Sequence, residues 1–223
     1  AEFPVPGLAE SGFLTSDGVL ELRQTPESMI ILGAGPVAVE LAQFFCRIGT
    51  QTTLIQRSDY ILSKGDVDLA VPLETRFREE GMKVYTGTKL LRVEKSEYNR
   101  TVFFTHEGEE KSATAKIIFH ALGRKPNIDE LNLSAASVKT KKGRIEVDEE
   151  MRTNVPHIYA VGDVNGLYEI VHIAIEQGEI AAHNATQKDI RRFDKRLKMS
   201  VIFTEPPVAS VGLSEKECEL LNI

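Results

Sequence analysis

Gly33 and Gly35 stand one residue apart in IILGAGPVAVE (residues 30–40), directly after an apolar run, and Ala38 stands where a third glycine would complete the pattern G-x-G-x-x-G. Such a turn lets backbone N–H groups approach a pyrophosphate, and the helix N-terminus behind it adds partial positive charge. The chemistry implied is dinucleotide binding by Gly33, Gly35, Pro36, Val37 and Ala38, with an ordinary tight turn as the plain alternative. NAD sites place an acid about 20 residues further on, against the ribose 2′-hydroxyl. This chain has Gln56 and Arg57 there, with Lys64 beyond. Gln56 can hydrogen-bond a hydroxyl, and Arg57 can pair with a 2′-phosphate or lie solvated. NAD or NADP is expected, with NADP favoured. Glu40 lies in an apolar stretch, so it either faces solvent or pairs with a base across an interface. Asp163 ends TNVPHIYAVGD (153–163) at a Gly-Asp turn. Strand ends in open α/β sheets meet ligands, so Asp163 suits a sugar or ribitol hydroxyl, or else caps a turn.

These residues need a scaffold, and the pattern around them supplies one. SMIILGAG (28–35) reads as a buried parallel strand with a tight turn. PVAVELAQFFCRIG (36–49) has helical spacing with two stripes: Val37, Leu41, Phe44 and Ile48, and the small residues Ala38, Ala42 and Cys46. Pro36 suits the first turn and Gly49 the end. TTLIQ (52–56) is the second strand, completing the start of a Rossmann unit. Asp66 caps a helix running to Gly81, in which Pro72 must make a kink or mark the true start. MKVY (82–85) is a third strand. KLLRVEKS, TVFFTHEG and KSATAKIIFH alternate as an antiparallel hairpin or meander. RIEVD (144–148) and HIYAVGD (157–163) read as strands, and 168–187 as a helix. MSVIFTEPPVASVG reads as a strand interrupted by Pro206 and Pro207. Ser214 opens a capping box, S-E-K-E.

The 223 residues are 42% hydrophobic and 27% charged, as in a soluble globular protein, and the net charge of −6 excludes a basic nucleic-acid footprint. No apolar run reaches the roughly 20 residues of a membrane span. The opening AEFPVPG lacks a basic stretch leading into an apolar core and an initiator Met, so a cytoplasmic protein and a processed or excised chain are expected. Cys46 and Cys218 form no close pair, Cys46 reading as buried filler, and the five histidines show no metal spacing. No metal site is expected.

Five stretches now fall in one order: PVPG (4–7), ILGAGPVAVELA, ALGRKPN, TNVPHIYAVGD and VIFTEPPVASVGLSE. Together they resemble the pyridine nucleotide-disulfide oxidoreductases, including dihydrolipoamide dehydrogenase, glutathione reductase and mercuric reductase. The resemblance covers essentially the whole chain. It implies an α/β fold: a Rossmann-like ββα domain with a parallel sheet and an inserted antiparallel meander, plus the C-terminal part of a second, similar domain. Residues 1–22 would be a remnant of the FAD domain, 23–146 the NAD(P) domain, 147–195 the C-terminal part of the FAD domain, and 196–223 the start of the dimerisation domain.

The resemblance also implies roles. Gly123 closes the NAD(P) domain in the Gly-Arg-x-Pro-Asn signature. Asp163 would touch the flavin ribitol, and Ile170, Val171 and His172 would line the flavin. IVHIAIEQG is closest to the dihydrolipoamide dehydrogenases, whereas LIQRSDYIL is closer to the NADPH-using reductases. Glu40 matches an acid that pairs with a lysine near the flavin, a lysine that would precede residue 1. Pro36 replaces a larger residue that covers the flavin in some members. The redox CxxxxC would lie upstream and the catalytic His-Glu pair downstream, so no catalytic residue is expected in this chain, and alone it should not carry out dithiol chemistry. The intact protein would use FAD with NAD(P), act on a dithiol or disulfide, bind neither nucleic acid nor membrane, and form a homodimer. A flavin NAD(P)H oxidase without redox cysteines and a non-catalytic dinucleotide-binding module are the alternatives.

Overall fold

The computed structural model describes residues 5–223, so Pro4 of the PVPG stretch lies outside the described residues. Two compact units form. One holds the described residues through Gly123 with Val201–Ala209 and Ser214–Ile223; the other holds Arg124–Ser200 and Ser210–Leu213. In chain order the elements are α1 (Leu8–Ser11), α2 (Ser16–Leu20), β1 (Ser28–Leu32), α3 (Pro36–Arg47), β2 (Gln51–Ile55), α4 (Val67–Glu79), β3 (Lys83–Tyr85), β4 (Lys89–Lys95), β5 (Arg100–His106), β6 (Glu109–Ala115) and β7 (Ile117–His120). There follow β8 (Thr140–Lys141), β9 (Arg144–Ile145), α5 (Val171–Thr186), β10 (Met199–Ile202), β11 (Val208–Val211) and α6 (Glu215–Leu221).

The first unit is layered around a parallel sheet of order β3-β2-β1-β7. β1 is apolar throughout because both of its faces are covered. Met29 and Ile31 pack with Ala38, Val39, Ala42 and Phe45 of α3 and with Leu73 and Phe77 of α4. Ile30 and Leu32 pack on the other face with Val102 and Phe104, which belong to the antiparallel sheet β4-β5-β6. The ββα layering expected from sequence is therefore present.

Several local expectations change. Of the two stripes on α3, the small one faces the sheet, while Phe44 and Ile48 are 52% and 44% exposed. Small side chains allow close helix–sheet approach, and that closeness chooses between stripes which periodicity alone leaves equal. KSATAKIIFH is not one strand. It breaks at Lys116: β6 pairs antiparallel with β5, and β7 crosses to lie parallel with β1. The break is fixed by the Lys116 N–H, which donates to Ser28 Oγ at 3.0 Å. RIEVD shrinks to β9, paired in a hairpin with β8. HIYAVGD forms no strand: Tyr159 makes an isolated bridge to Arg152, and no strand among the described residues ladders with it. MSVIFTEPPVASVG folds as the hairpin β10-β11 with a cis Glu205–Pro206 bond in its loop. Pro72 lies within α4, which starts at Val67. Asp66 occupies the N-cap position of α4 without capping it; its Oδ1 instead accepts the Glu215 N–H at 3.2 Å.

A carboxylate ties α3 to the end of α4. Glu80 accepts hydrogen bonds from Arg47 at 2.6 Å, Arg76 at 2.8 Å and Gln43 at 3.3 Å. The Arg47 hydrogen bond, against the opposing effect of burial, holds the Glu80 carboxyl below its ordinary value of 4.5. A depressed folded pKa contributes stability above the unfolded value, and that contribution is lost as pH falls through the folded value. Glu80→Gln should therefore cost about 1 kcal/mol at neutral pH, discounted for the partial exposure of the arginines. The gap to wild type should close as pH drops below 4.5. Paired thermal melts at neutral and acid pH check this.

Candidate dinucleotide turn and flavin-facing turn

The glycine turn sits where three parallel strands end together. β1, β2 and β7 share the register Leu32↔Ile55 and Leu32↔His120, so the loops after them leave the same edge of the sheet. β1 has β2 on one side and β7, from much later in the chain, on the other. This is the topological switch point at which open α/β sheets form a ligand crevice. Gly33 closes it: its N–H donates to the Ile55 carbonyl at 2.9 Å, and its φ is +98°. A Cβ there would come within 2.5 Å of the Ala121 carbonyl oxygen. Gly35 behaves differently. It is the N-cap of α3 with φ −76°, no side chain caps that helix end, and a Cβ would meet nothing within 4 Å. The turn thus leaves room beside an uncapped helix N-terminus, which fits a pyrophosphate. Pro36 is exposed, Val37 half-buried and Ala38 buried. At 1% exposure Ala38 packs in the core, so one methyl group is accommodated in the third glycine position.

Gln56 and Arg57 follow β2 at this same edge. The Gln56 N–H donates to the Tyr85 carbonyl at 2.8 Å, and its carbonyl accepts from the Thr88 hydroxyl at 2.9 Å. The half-buried Gln56 side chain and the exposed Arg57 stand at the start of the β2–α4 loop. The loop is pinned to the glycine turn by the Leu62 N–H, which donates to the Ala34 carbonyl at 2.8 Å. It frames a hollow of about 240 Å³ lined by residues that include Ser58, Tyr60, Ser63 and Gly65. Gly123, exposed with φ +129°, lies just past β7.

Glu40 is half-exposed and forms no ion pair among the described residues. Its Oε1 accepts the Phe203 N–H at 2.8 Å. One turn along α3, the buried Gln43 donates to the Glu205 carbonyl at 2.8 Å and accepts the Glu205 N–H at 2.7 Å. This pair of clamps spans more than 160 residues of sequence. The available signal was the pair Glu40 and Gln43, polar side chains within a mostly apolar helix.

The second unit carries the other predicted residues. Asp163 is exposed in a 3₁₀ turn, Gly162–Asn165. Val171 and His172 open α5; Val171 is 78% exposed, and the His172 Nε2 lies 2.9 Å from the Met199 carbonyl. An outward carboxylate on a turn beside an exposed helix start fits a hydroxylated ligand. Behind it lies Gln177, which sequence reasoning passed over. Its place in the stripe Ile173, Gln177, Ile180, Ala181, all buried, was the available signal.

Among the described residues no group of His, Cys, Asp and Glu is arranged to hold a metal, and no helix is long and apolar enough to cross a membrane. Cys46 is half-buried, its thiol directed at the Glu80 carbonyl, and both cysteines are free.

Comparison with known proteins converges on one group. A family model described as pyridine nucleotide-disulphide oxidoreductase matches residues 1–178. The mercuric reductase of Staphylococcus aureus is 36% identical over 216 residues, covering 96% of this chain and 40% of that protein. The dihydrolipoyl dehydrogenase of Bacillus subtilis (strain 168) is 33% identical over 216 residues, covering 97% of this chain and 46% of that protein. Among solved structures, the HOCl-induced flavoprotein disulfide reductase RclA from Escherichia coli matches with a TM-score of 0.87 at 25% identity, over 99% of this chain and 50% of that one. The chain therefore spans about half or less of the length of these relatives. With the glycine turn at the switch point and the family model spanning most of its length, the chain belongs to the pyridine nucleotide-disulphide oxidoreductase family.

Proposed function

We propose that this chain is the NAD(P)-binding portion of a flavin-dependent disulfide oxidoreductase of the dihydrolipoamide dehydrogenase kind, with NADP favoured over NAD. The observation that carries the reading is Gly35: an uncapped helix N-terminus with open space where a side chain would stand. The bound cofactors would supply the redox chemistry, hydride exchange between nicotinamide and flavin and two electrons to or from a dithiol or disulfide. The chain's own residues hold and orient. The amides at the start of α3 bind the pyrophosphate, and Gln56 and Arg57 meet the adenosine ribose. Arg57 presents a planar fork of N–H donors that pairs with a 2′-phosphate. Asp163 accepts a hydrogen bond from a ribitol hydroxyl, and Val171 and His172 line the flavin. The division at residues 22, 146 and 195, a cytoplasmic setting and a homodimeric intact protein belong to the same proposal.

The NADP preference rests on Arg57 and is tested there. Arg57→Ala should weaken NADPH binding about tenfold or more, as expected for loss of a charge-assisted pair, and leave NADH binding within about twofold. Parallel titrations with the two cofactors measure this. Tighter binding of NADH by the wild type, or equal losses for both cofactors in the variant, would refute it.

A further inference from the structure

Resting on the reading that Asp163 faces a ribitol hydroxyl, we propose that Gln177 is the positioning residue that sets the Asp163 turn. Gln177 is fully buried, at 0% exposure, in the middle of α5. Its Oε1 accepts two hydrogen bonds, from the Gly162 N–H at 2.8 Å and from Asn165 Nδ2 at 2.8 Å. Those two donors bracket Asp163 in the turn Gly162–Asn165. Asn165 carries the constraint onward: its Nδ2 also donates to the Ala160 carbonyl at 3.2 Å, and its Oδ1 accepts the Leu167 N–H at 3.0 Å. One side-chain oxygen thus ties both ends of the turn to α5, while the carboxylate between them points outward.

The geometry says which half of the amide matters. The Gly162 N–H is a donor, so the oxygen of Gln177 must face it; a flipped amide would oppose two donors. Gln177 Nε2 is buried with no hydrogen-bond partner among the described residues. The oxygen that both donors share is the functional atom; a glutamate keeps that oxygen, and at this fully buried position its neutral form, favoured over an unpaired charge, should replace glutamine. Leucine, of similar size and apolar, should not.

The test follows Gly162 amide hydrogen exchange and the Asp163 Cα and Cβ shifts by NMR on the full 223-residue chain. The Ile31 amide of the other unit serves as internal reference. Gln177→Leu should speed Gly162 exchange about tenfold or more relative to Ile31 and move the Asp163 shifts. Gln177→Glu should hold exchange within about threefold of wild type and keep the shifts in place. Unchanged Gly162 exchange in Gln177→Leu would overturn the proposal. So would lost protection in Gln177→Glu at mildly acid pH, where the buried carboxyl is neutral, whether or not the leucine variant folds. Neither readout involves a flavin, so the assignment of Asp163 to a ribitol hydroxyl stands or falls separately, by flavin titration of Asp163→Asn.

Discussion

Gly35→Val should cut NADPH affinity about 100-fold or more while the chain melts within a few degrees of wild type. The two halves of this result come from the same geometry. Gly35 has φ −76°, a conformation any residue adopts, and a Cβ there would touch no protein atom within 4 Å. Folding therefore loses little: at an N-cap, glycine gives way to valine for about 1 kcal/mol. For a protein of this size that is roughly 2–4 °C. The added isopropyl group would occupy the space beside the helix N-terminus that a pyrophosphate needs. The check is a fluorescence titration with NADPH beside a thermal melt. Unchanged affinity in a folded variant would remove Gly35 from the site.

Gly33→Val should do the opposite, lowering stability by about 3 kcal/mol or more before any question of binding arises. At φ +98° a side chain is strained on its own account by roughly 1–2 kcal/mol. The new Cβ would also sit 2.5 Å from the Ala121 carbonyl oxygen. That oxygen cannot withdraw freely, because the Ala121 N–H is bonded to the Leu32 carbonyl at 2.9 Å in the continuation of the β1–β7 pairing. The strands must part, and β1 is the centre of the core. A fall in melting temperature of roughly 6–12 °C is expected. A variant melting with the wild type would show that the turn is not held as described. Two glycines in one motif thus do separate work, the first for the fold and the second for the ligand.

Much of this was legible because it is local. The strand–turn–helix around Gly33, the strand pattern of the meander and the capping box need only neighbouring residues. Ser214 Oγ accepts the Glu217 N–H, and Glu217 accepts the Ser214 N–H in return. What was illegible depends on partners distant in sequence. Which stripe of α3 is buried depends on how closely the helix lies on β1. Where KSATAKIIFH breaks depends on Ser28, and the fate of Glu40 on Phe203. HIYAVGD has the composition of a strand, but a strand also requires a neighbour. Gln177 was missed for a different reason: a polar residue in a buried stripe reads as an imperfection until the two donors it serves are seen.

The central claim is that the 33–40 turn is the dinucleotide site, and amide NMR tests it most directly. NADPH added to the wild-type chain should produce saturable shifts that are largest at Gly33, Gly35, Val37 and Ala38, with a second group at Gln56 and Arg57. No saturable shift, or shifts centred away from the ends of β1 and β2, would contradict it.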